Sequence, residues 1–230
     1  MISIHAGHNP DGLIASGAAG YMKESVENRK IVNAIMQRAI SGIEDVTVND
    51  GVSQSDILNR LCVRMNNNNY ELNLSIHLNA GGGKGVECWT YGADSVAEDL
   101  ATAICNNISA LGFVNRGVKN SKTLYVLKHT TAPTIIIEIC FVDTEYDFEL
   151  YNTVGADKIG LAILNAISDY IIYYSGDSVG DDEVDPGNEQ DSTSGDMLYY
   201  VQVGAYSDIR NSQNMYEKLI SAGFPAYIKK

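Results

Sequence analysis

The chain has 230 residues, with 29 acidic and 16 basic side chains and a formal net charge of -13. That excess excludes attachment to nucleic acid or to an anionic membrane by charge alone, since both need clustered Lys and Arg. A hydrophobic fraction of 45% beside 20% charged residues fits a globular protein and excludes a wholly disordered one.

No run approaches the roughly 18 apolar residues that a membrane helix needs. No basic n-region followed by a long apolar stretch marks a signal peptide, so an intracellular start is the expectation. Residues 2–5, Ile-Ser-Ile-His, open the chain as a predicted strand. A loop rich in glycine follows, with Gly7, Gly12, Gly17 and Gly20. Ile31, Ile35 and Ala39 make a stripe at helical spacing within residues 23–41, and Gly42 is a stop signal. Residues 45–48 are a short predicted strand. Ser53 begins a capping-box-like frame that opens a helix through Ile57, Leu61 and Met65, broken at Asn66 to Asn69. Residues 72–77 alternate as a strand, and residues 85–91 form another. Val96, Leu100, Ile104 and Leu111 predict a third helix ended by Gly112. Residues 124–127 and 134–140 are two further predicted strands. In the second, Ile135, Ile136 and Ile137 are apolar toward both faces, as in a covered central strand. Ile159, Ile163 and Ile167 predict the last helix of this domain. Alternating strands and helices imply an α/β domain over residues 1–174, with a mixed, mostly parallel six-stranded sheet flanked by helices.

The charge is uneven. Residues 1–174 carry net -7, residues 175–197 carry eight acids and no base, and residues 198–230 carry net +2. The middle stretch has few large apolar side chains and repelling charges, which predicts an extended linker. A calcium loop of the EF-hand type would need an ordered Asp/Asn alternation closing on Glu, which is missing. Cys62, Cys88, Cys105 and Cys140 contain no Cys-x-x-Cys pair and sit among apolar residues, so buried free thiols are expected.

The chain has four histidines: His5, His8, His77 and His129. His8 lies just past the first strand and His77 closes the third. In an α/β sheet the carboxyl ends of strands line the ligand crevice, so these two can converge across 69 residues of sequence. Glu24 and Glu27 begin the first helix. Two imidazoles, one carboxylate and an open position make a catalytic zinc site. Glu138 sits amid Ile residues, where an unpaired carboxylate is costly and its pKa rises, which suits an acid/base group. The blander alternatives are a structural His at each strand end and solvated helix carboxylates.

Six pieces, in order, resemble the zinc-dependent N-acetylmuramoyl-L-alanine amidases of bacterial autolysins and phage endolysins. They are Ile4-His5-Ala6-Gly7-His8, the Lys23 to Asn28 stretch, Leu74 to Ala80, Gly85-Val86-Glu87, Arg116 to Lys119, and Ala132-Pro133 running into Ile137-Glu138. The resemblance implies a zinc-peptidase/phosphorylase-like fold and one zinc ion held by His8, Glu24 and His77. It implies Glu138 as the catalytic carboxylate and Asn79 and Arg116 as substrate-binding residues. Glu24 is preferred to Glu27 because the family's ligand has an Asn four residues on, here Asn28. The implied substrate is bacterial peptidoglycan, cut between N-acetylmuramic acid and L-alanine. Many members have Asp-Pro where this chain has His5-Ala6, and often Gly where it has Cys140. The resemblance also implies either an endolysin held in the host cytoplasm until release or a secreted autolysin.

Residues 198–230 read as a β-α-β unit. Tyr200-Val201-Gln202-Val203-Gly204-Ala205-Tyr206 resembles the first half of a SPOR domain, a module that binds glycan strands stripped of stem peptides. One half has little core of its own, which raises self-association through this fragment as an expectation. The rival readings are an inactive wall-binding protein and another zinc peptidase acting on peptidoglycan; the latter usually takes ligands from a His-x-x-Glu motif, absent here.

Overall fold

The computed structural model describes residues 1–39, 42–92 and 94–174, together with Tyr216 and Ile220, which are helical. By internal contacts the chain divides into Met1–Gly180 and Asp181–Lys230. The predicted linker and the C-terminal β-α-β unit lie outside the described residues.

Among the described residues six strands form one sheet: β1 (Ile2–Ala6), β2 (Ile43–Asp45), β3 (Leu72–Asn79), β4 (Val86–Thr90), β5 (Asn115–Asn120) and β6 (Thr134–Phe141). Their order is β2-β1-β3-β6-β4-β5. Every pairing is parallel except β4 with β6. The described residues also form six helices: α1 (Glu24–Met36), α2 (Gln54–Asn67), α3 (Ser95–Ser109), α4 (Tyr125–His129), α5 (Glu145–Val154) and α6 (Ala156–Tyr174). The mixed, mostly parallel six-stranded sheet expected from the sequence is present. No helix among the described residues is long and apolar enough to cross a membrane.

The two faces of the sheet differ in chemistry, because side chains alternate along each strand. Ile2 and Ile4 on β1, Leu72 to Leu78 at alternate positions on β3, and Ile135, Ile137 and Ile139 on β6 point one way. They pack with Ile31 and Ile35 of α1, Ile104 of α3 and Ile163 of α6 in the main core. The intervening residues face the other way and are mostly polar. There Ser3 Oγ donates to Asn73 Oδ1 at 2.6 Å, Asn73 Nδ2 donates to Thr134 Oγ1 at 3.1 Å, and Ser75 Oγ pairs with His5 Nε2 at 2.8 Å. These cross-strand bonds satisfy polar groups that would otherwise be costly to bury. Among the described residues α2 and α4 cover part of this face, through a smaller cluster that includes Ile57, Leu61, Met65, Val126, Leu127 and Ile136. Ser53 caps α2, its Oγ accepting from Asp56 N at 3.1 Å. The four cysteines are free and buried, as expected.

Several elements differ from the expectation. Residues 124–127 are not a strand: residues 125–129 form α4, which lies with α2 over the polar face. The missing strand is β5, whose sequence Asn-Arg-Gly-Val-Lys-Asn carries no alternating apolar signal because it is an edge strand interrupted by a bulge. Helix α5 also escapes the periodicity reading, and α1 ends at Met36, before Ala39.

Candidate metal centre and groove

Strands β1, β3 and β6 run parallel, so their carboxyl ends share one edge of the sheet. His8 lies just past β1, His77 lies two residues before the end of β3, and Glu138 stands directly beside His77 in register on β6. Glu24 is the first residue of α1 and nearly fully buried. The side chains of His8, Glu24 and His77 come together, with one donor atom of each inside a 4.8 Å span. His77 Nδ1 lies 2.9 Å from Glu24 Oε1 and His8 Nε2 lies 3.3 Å from the same oxygen. The two imidazoles meet edge to face at 5.0 Å. Two histidines and a carboxylate converging from three elements are the donor set of a catalytic zinc site, so the residues present fit the ion.

The local backbone is shaped around this convergence. His8 has φ +64, a left-handed value uncommon outside glycine. That conformation is held from α1. Asn28 Nδ2 donates to Gly7 O at 2.8 Å and Arg29 Nη2 donates to His8 O at 2.7 Å. Gly7 passes so close to the His77 ring that any Cβ would collide with it. Gly17 has φ +81, and a Cβ there would lie 2.5 Å from Glu24 Oε2. The free carboxylate oxygen of Glu24 is also used, accepting from Ala18 N at 2.8 Å. This fixes the carboxyl plane against the two rings.

The electrostatics divide the carboxyls. Burial alone would raise the Glu24 pKa, but the hydrogen bonds to His77 and His8 overcome it and hold the carboxyl well below its usual range. Burial lowers the His77 pKa, yet the Glu24 bond and the nearby Glu138 carboxyl leave it raised overall. Glu138 behaves oppositely to Glu24. Burial pushes its carboxyl up to about 7; nearby His77 opposes the rise and Glu24 and Glu87 add to it. Its Oε2 is covered and has no hydrogen-bond partner among the described residues. The side chain faces a groove of about 700 Å³, bordered by α2 on one side and by the 121–126 segment on the other.

A family model described as N-acetylmuramoyl-L-alanine amidase matches residues 1–169, and one described as SPOR domain matches residues 197–230. The chain belongs to the N-acetylmuramoyl-L-alanine amidase family. It is 31% identical over 223 residues to an uncharacterized protein of Clostridium perfringens, covering 93% of this chain and 62% of that one. It is 28% identical over 158 residues to a sporulation-specific N-acetylmuramoyl-L-alanine amidase of Bacillus subtilis, covering 67% and 55%. The chain thus spans less than two thirds of either curated relative. The catalytic domain of an endolysin targeting Clostridia Difficile shares the fold, with a TM-score of 0.66, 24% identity and coverage of 73% of this chain and 96% of that one.

Within this amidase domain, the sequence-predicted residues fall into two groups. His8, His77, Glu138 and Asn79 line the groove, and Glu24 joins His8 and His77 from behind its wall. Glu27 is drawn away and bonds Lys30 at 2.9 Å. Arg116 does not line the groove. It reaches the groove through Glu87, whose Oε2 accepts from Arg116 Nε at 2.5 Å. His5 is a fully buried residue of the groove floor, its Nδ1 without a partner among the described residues. His129 stacks on Tyr125 at 4.1 Å on α4 and joins no cluster. The sequence reading missed Arg29 and the tight glycines. For Gly7 a signal existed, since it precedes a candidate ligand. For Arg29 none existed, because its target is a backbone carbonyl.

Proposed function

We propose that this chain hydrolyses the amide between N-acetylmuramic acid and the L-alanine of the peptidoglycan stem peptide. The observation that carries this reading is the convergence of His8, Glu24 and His77 beside Glu138, half-buried in an open groove, whose covered Oε2 has no hydrogen-bond partner among the described residues. His8, Glu24 and His77 would hold one zinc ion. When bound, zinc supplies Lewis acidity that polarises a carbonyl and makes water nucleophilic near neutral pH. Glu138 supplies the proton traffic. With its carboxyl at about 7, it can take a proton from water and hand it to the departing alanine nitrogen near neutral pH. Asn79, on the same strand as His77, and Arg116, through Glu87, orient the substrate. Residues 175–197 serve as a linker and residues 198–230, matched by the SPOR model, hold glycan strands. Peptidoglycan is then the partner of both parts.

Digestion of purified peptidoglycan, followed by mass spectrometry of the new chain ends, tests the reading. The expected products are stem peptides with a free L-alanine amino group and glycans with an intact lactyl carboxylate. Cleavage within the peptide, or intact wall after incubation with zinc-loaded protein, overturns it.

A further inference from the structure

Strand β5 is one of the sheet's two edges, and its register against β4 is irregular. Val86 pairs with Asn115 but Cys88 pairs with Val118, so Glu87 alone on β4 opposes Arg116 and Gly117 on β5. In a regular strand, Arg116 and Lys119 would point to opposite faces, being three apart. The extra residue, with Gly117 at φ +73, turns both toward the polar face. Both end on one oxygen: Arg116 Nε lies 2.5 Å and Lys119 Nζ 2.6 Å from Glu87 Oε2. The other oxygen of Glu87 accepts from Asn79 Nδ2 at 3.0 Å and from Trp89 Nε1 at 3.1 Å. Glu87 is therefore fully used and buried, while the two cations it anchors are about one third exposed.

One carboxylate against two cations leaves a net positive charge at the rim. The guanidinium of Arg116 also lies over the Phe141 ring at 5.0 Å, and Lys119 Nζ lies over Trp89 at 5.2 Å. These contacts fix both groups in place. Arg116 spends only Nε on Glu87, and its terminal nitrogens make no hydrogen bond among the described residues. A planar fork held in place with unused donors suits a carboxylate.

We infer that Arg116 and Lys119 form a subsite for a free carboxylate on the peptide arm of the substrate. The inference rests on the proposed hydrolysis of muramoyl peptides, and it adds a specificity. Strand β5 lies two strands beyond Glu138, roughly 10 Å away at about 4.8 Å per strand. A peptide advances about 3.5 Å per residue, so the subsite meets a side chain or carboxyl of the second or third residue past the scissile amide. An acidic residue follows L-alanine in stem peptides, and its carboxyl occurs free or as a carboxamide. The cation pair selects the free acid.

Calorimetric titration of the full chain carrying Glu138→Gln, loaded with zinc, tests this without consuming ligand. The probes are N-acetylmuramoyl-L-Ala-D-Glu and its counterpart with both glutamate carboxyls amidated. The acid is expected to bind at least about tenfold tighter, as charge-assisted hydrogen bonds imply. Adding Arg116→Gln or Lys119→Met lowers that ratio toward one, and Arg116→Lys gives an intermediate ratio. Thermal melting and zinc content establish that each variant is folded. Equal affinity of the two probes, no binding of either, or a ratio unchanged in both Arg116→Gln and Lys119→Met overturns the subsite. Failure of the wild-type chain to cleave the acid probe instead overturns the hydrolytic reading, and leaves the binding ratio readable.

Discussion

His77 and Glu138 are direct partners on adjacent parallel strands, so a metal donor and the candidate acid/base stand side by side on one face of the sheet. Neither can move without the other, since both are set by the β3–β6 ladder. The pairing also separates their tasks. Glu24 is held ionised by the two imidazoles, while Glu138 is left without a hydrogen-bond partner among the described residues. A carboxyl in that state is available for proton transfer rather than for holding an ion.

Glu138→Gln keeps the volume and removes the titrating oxygen. Amide cleavage is expected to fall by about 10²-fold or more, the usual size of a lost general acid/base. Zinc content should stay at one per chain by atomic absorption, because Glu138 is not among the three donors. Retained wild-type cleavage, or loss of the metal, contradicts the assignment of roles.

Gly7→Ala places a methyl against the His77 ring, where the backbone leaves no room. The ring must turn or β1 must shift, and either moves a donor atom. Zinc affinity, measured by competition with a chromogenic chelator, is expected to weaken by about 10- to 100-fold, as for lost support of a ligand. Gly17→Ala gives an independent check. It meets Glu24 instead and adds a positive-φ penalty of about 1 kcal/mol. Unchanged affinity in both variants shows that the glycines do not shape the metal centre.

Much of this arrangement is legible in the sequence, for identifiable reasons. The run Asn73-Leu74-Ser75-Ile76-His77-Leu78-Asn79 alternates cleanly, so its polar face and the place of His77 on that face, near the strand's carboxyl end, follow from the period of two. Glu138 stands out because an isolated carboxylate in an Ile-rich strand needs a reason. The same signal sits in Val86-Glu87-Cys88-Trp89. Its cause there is the ion pair with Arg116 and Lys119, which depends on a bulge no spacing rule foresees. The exchange of a strand for α4 has a similar origin. Tyr125, Val126 and Leu127 have strand-like side chains, and contact with α2 overrides that preference. Asn28 and Arg29 act on carbonyls of residues more than 20 positions away, and local pattern carries no trace of that.

Chelation should do two things at once. It should abolish cleavage, and it should lower the melting temperature, because an ion held by three donors from separate elements binds the folded chain and adds its binding free energy to stability. At a free zinc concentration of 100 times Kd the gain is about 2.7 kcal/mol, so a calorimetric scan with and without zinc resolves it. His77→Ala should lose this zinc-dependent increment while the apo form still unfolds cooperatively, at a lower temperature because Glu24 loses a hydrogen-bond partner. A melting point indifferent to zinc in the wild type removes the basis for a metal centre at these residues.

His5 gives the chain a specific acid sensitivity. Burial, aided by the charge of nearby His77, lowers its pKa from 6.5 to about 3 in the folded state. The unfolded chain therefore takes up a proton below pH 6.5 that the folded chain refuses until about pH 3. Its neutral, buried state costs nothing above pH 6.5, and stability is lost as pH falls from there toward 3. The slope is at most about 1.4 kcal/mol per pH unit for one group, and a few kcal/mol accumulate across the window. His5→Gln keeps a hydrogen-bonding partner for Ser75 and removes the titration. Urea unfolding at pH 7 and at pH 4.5 should show a smaller drop in this variant than in the wild type. Equal drops in the two proteins would place the acid sensitivity in other groups and leave His5 as an inert part of the groove floor.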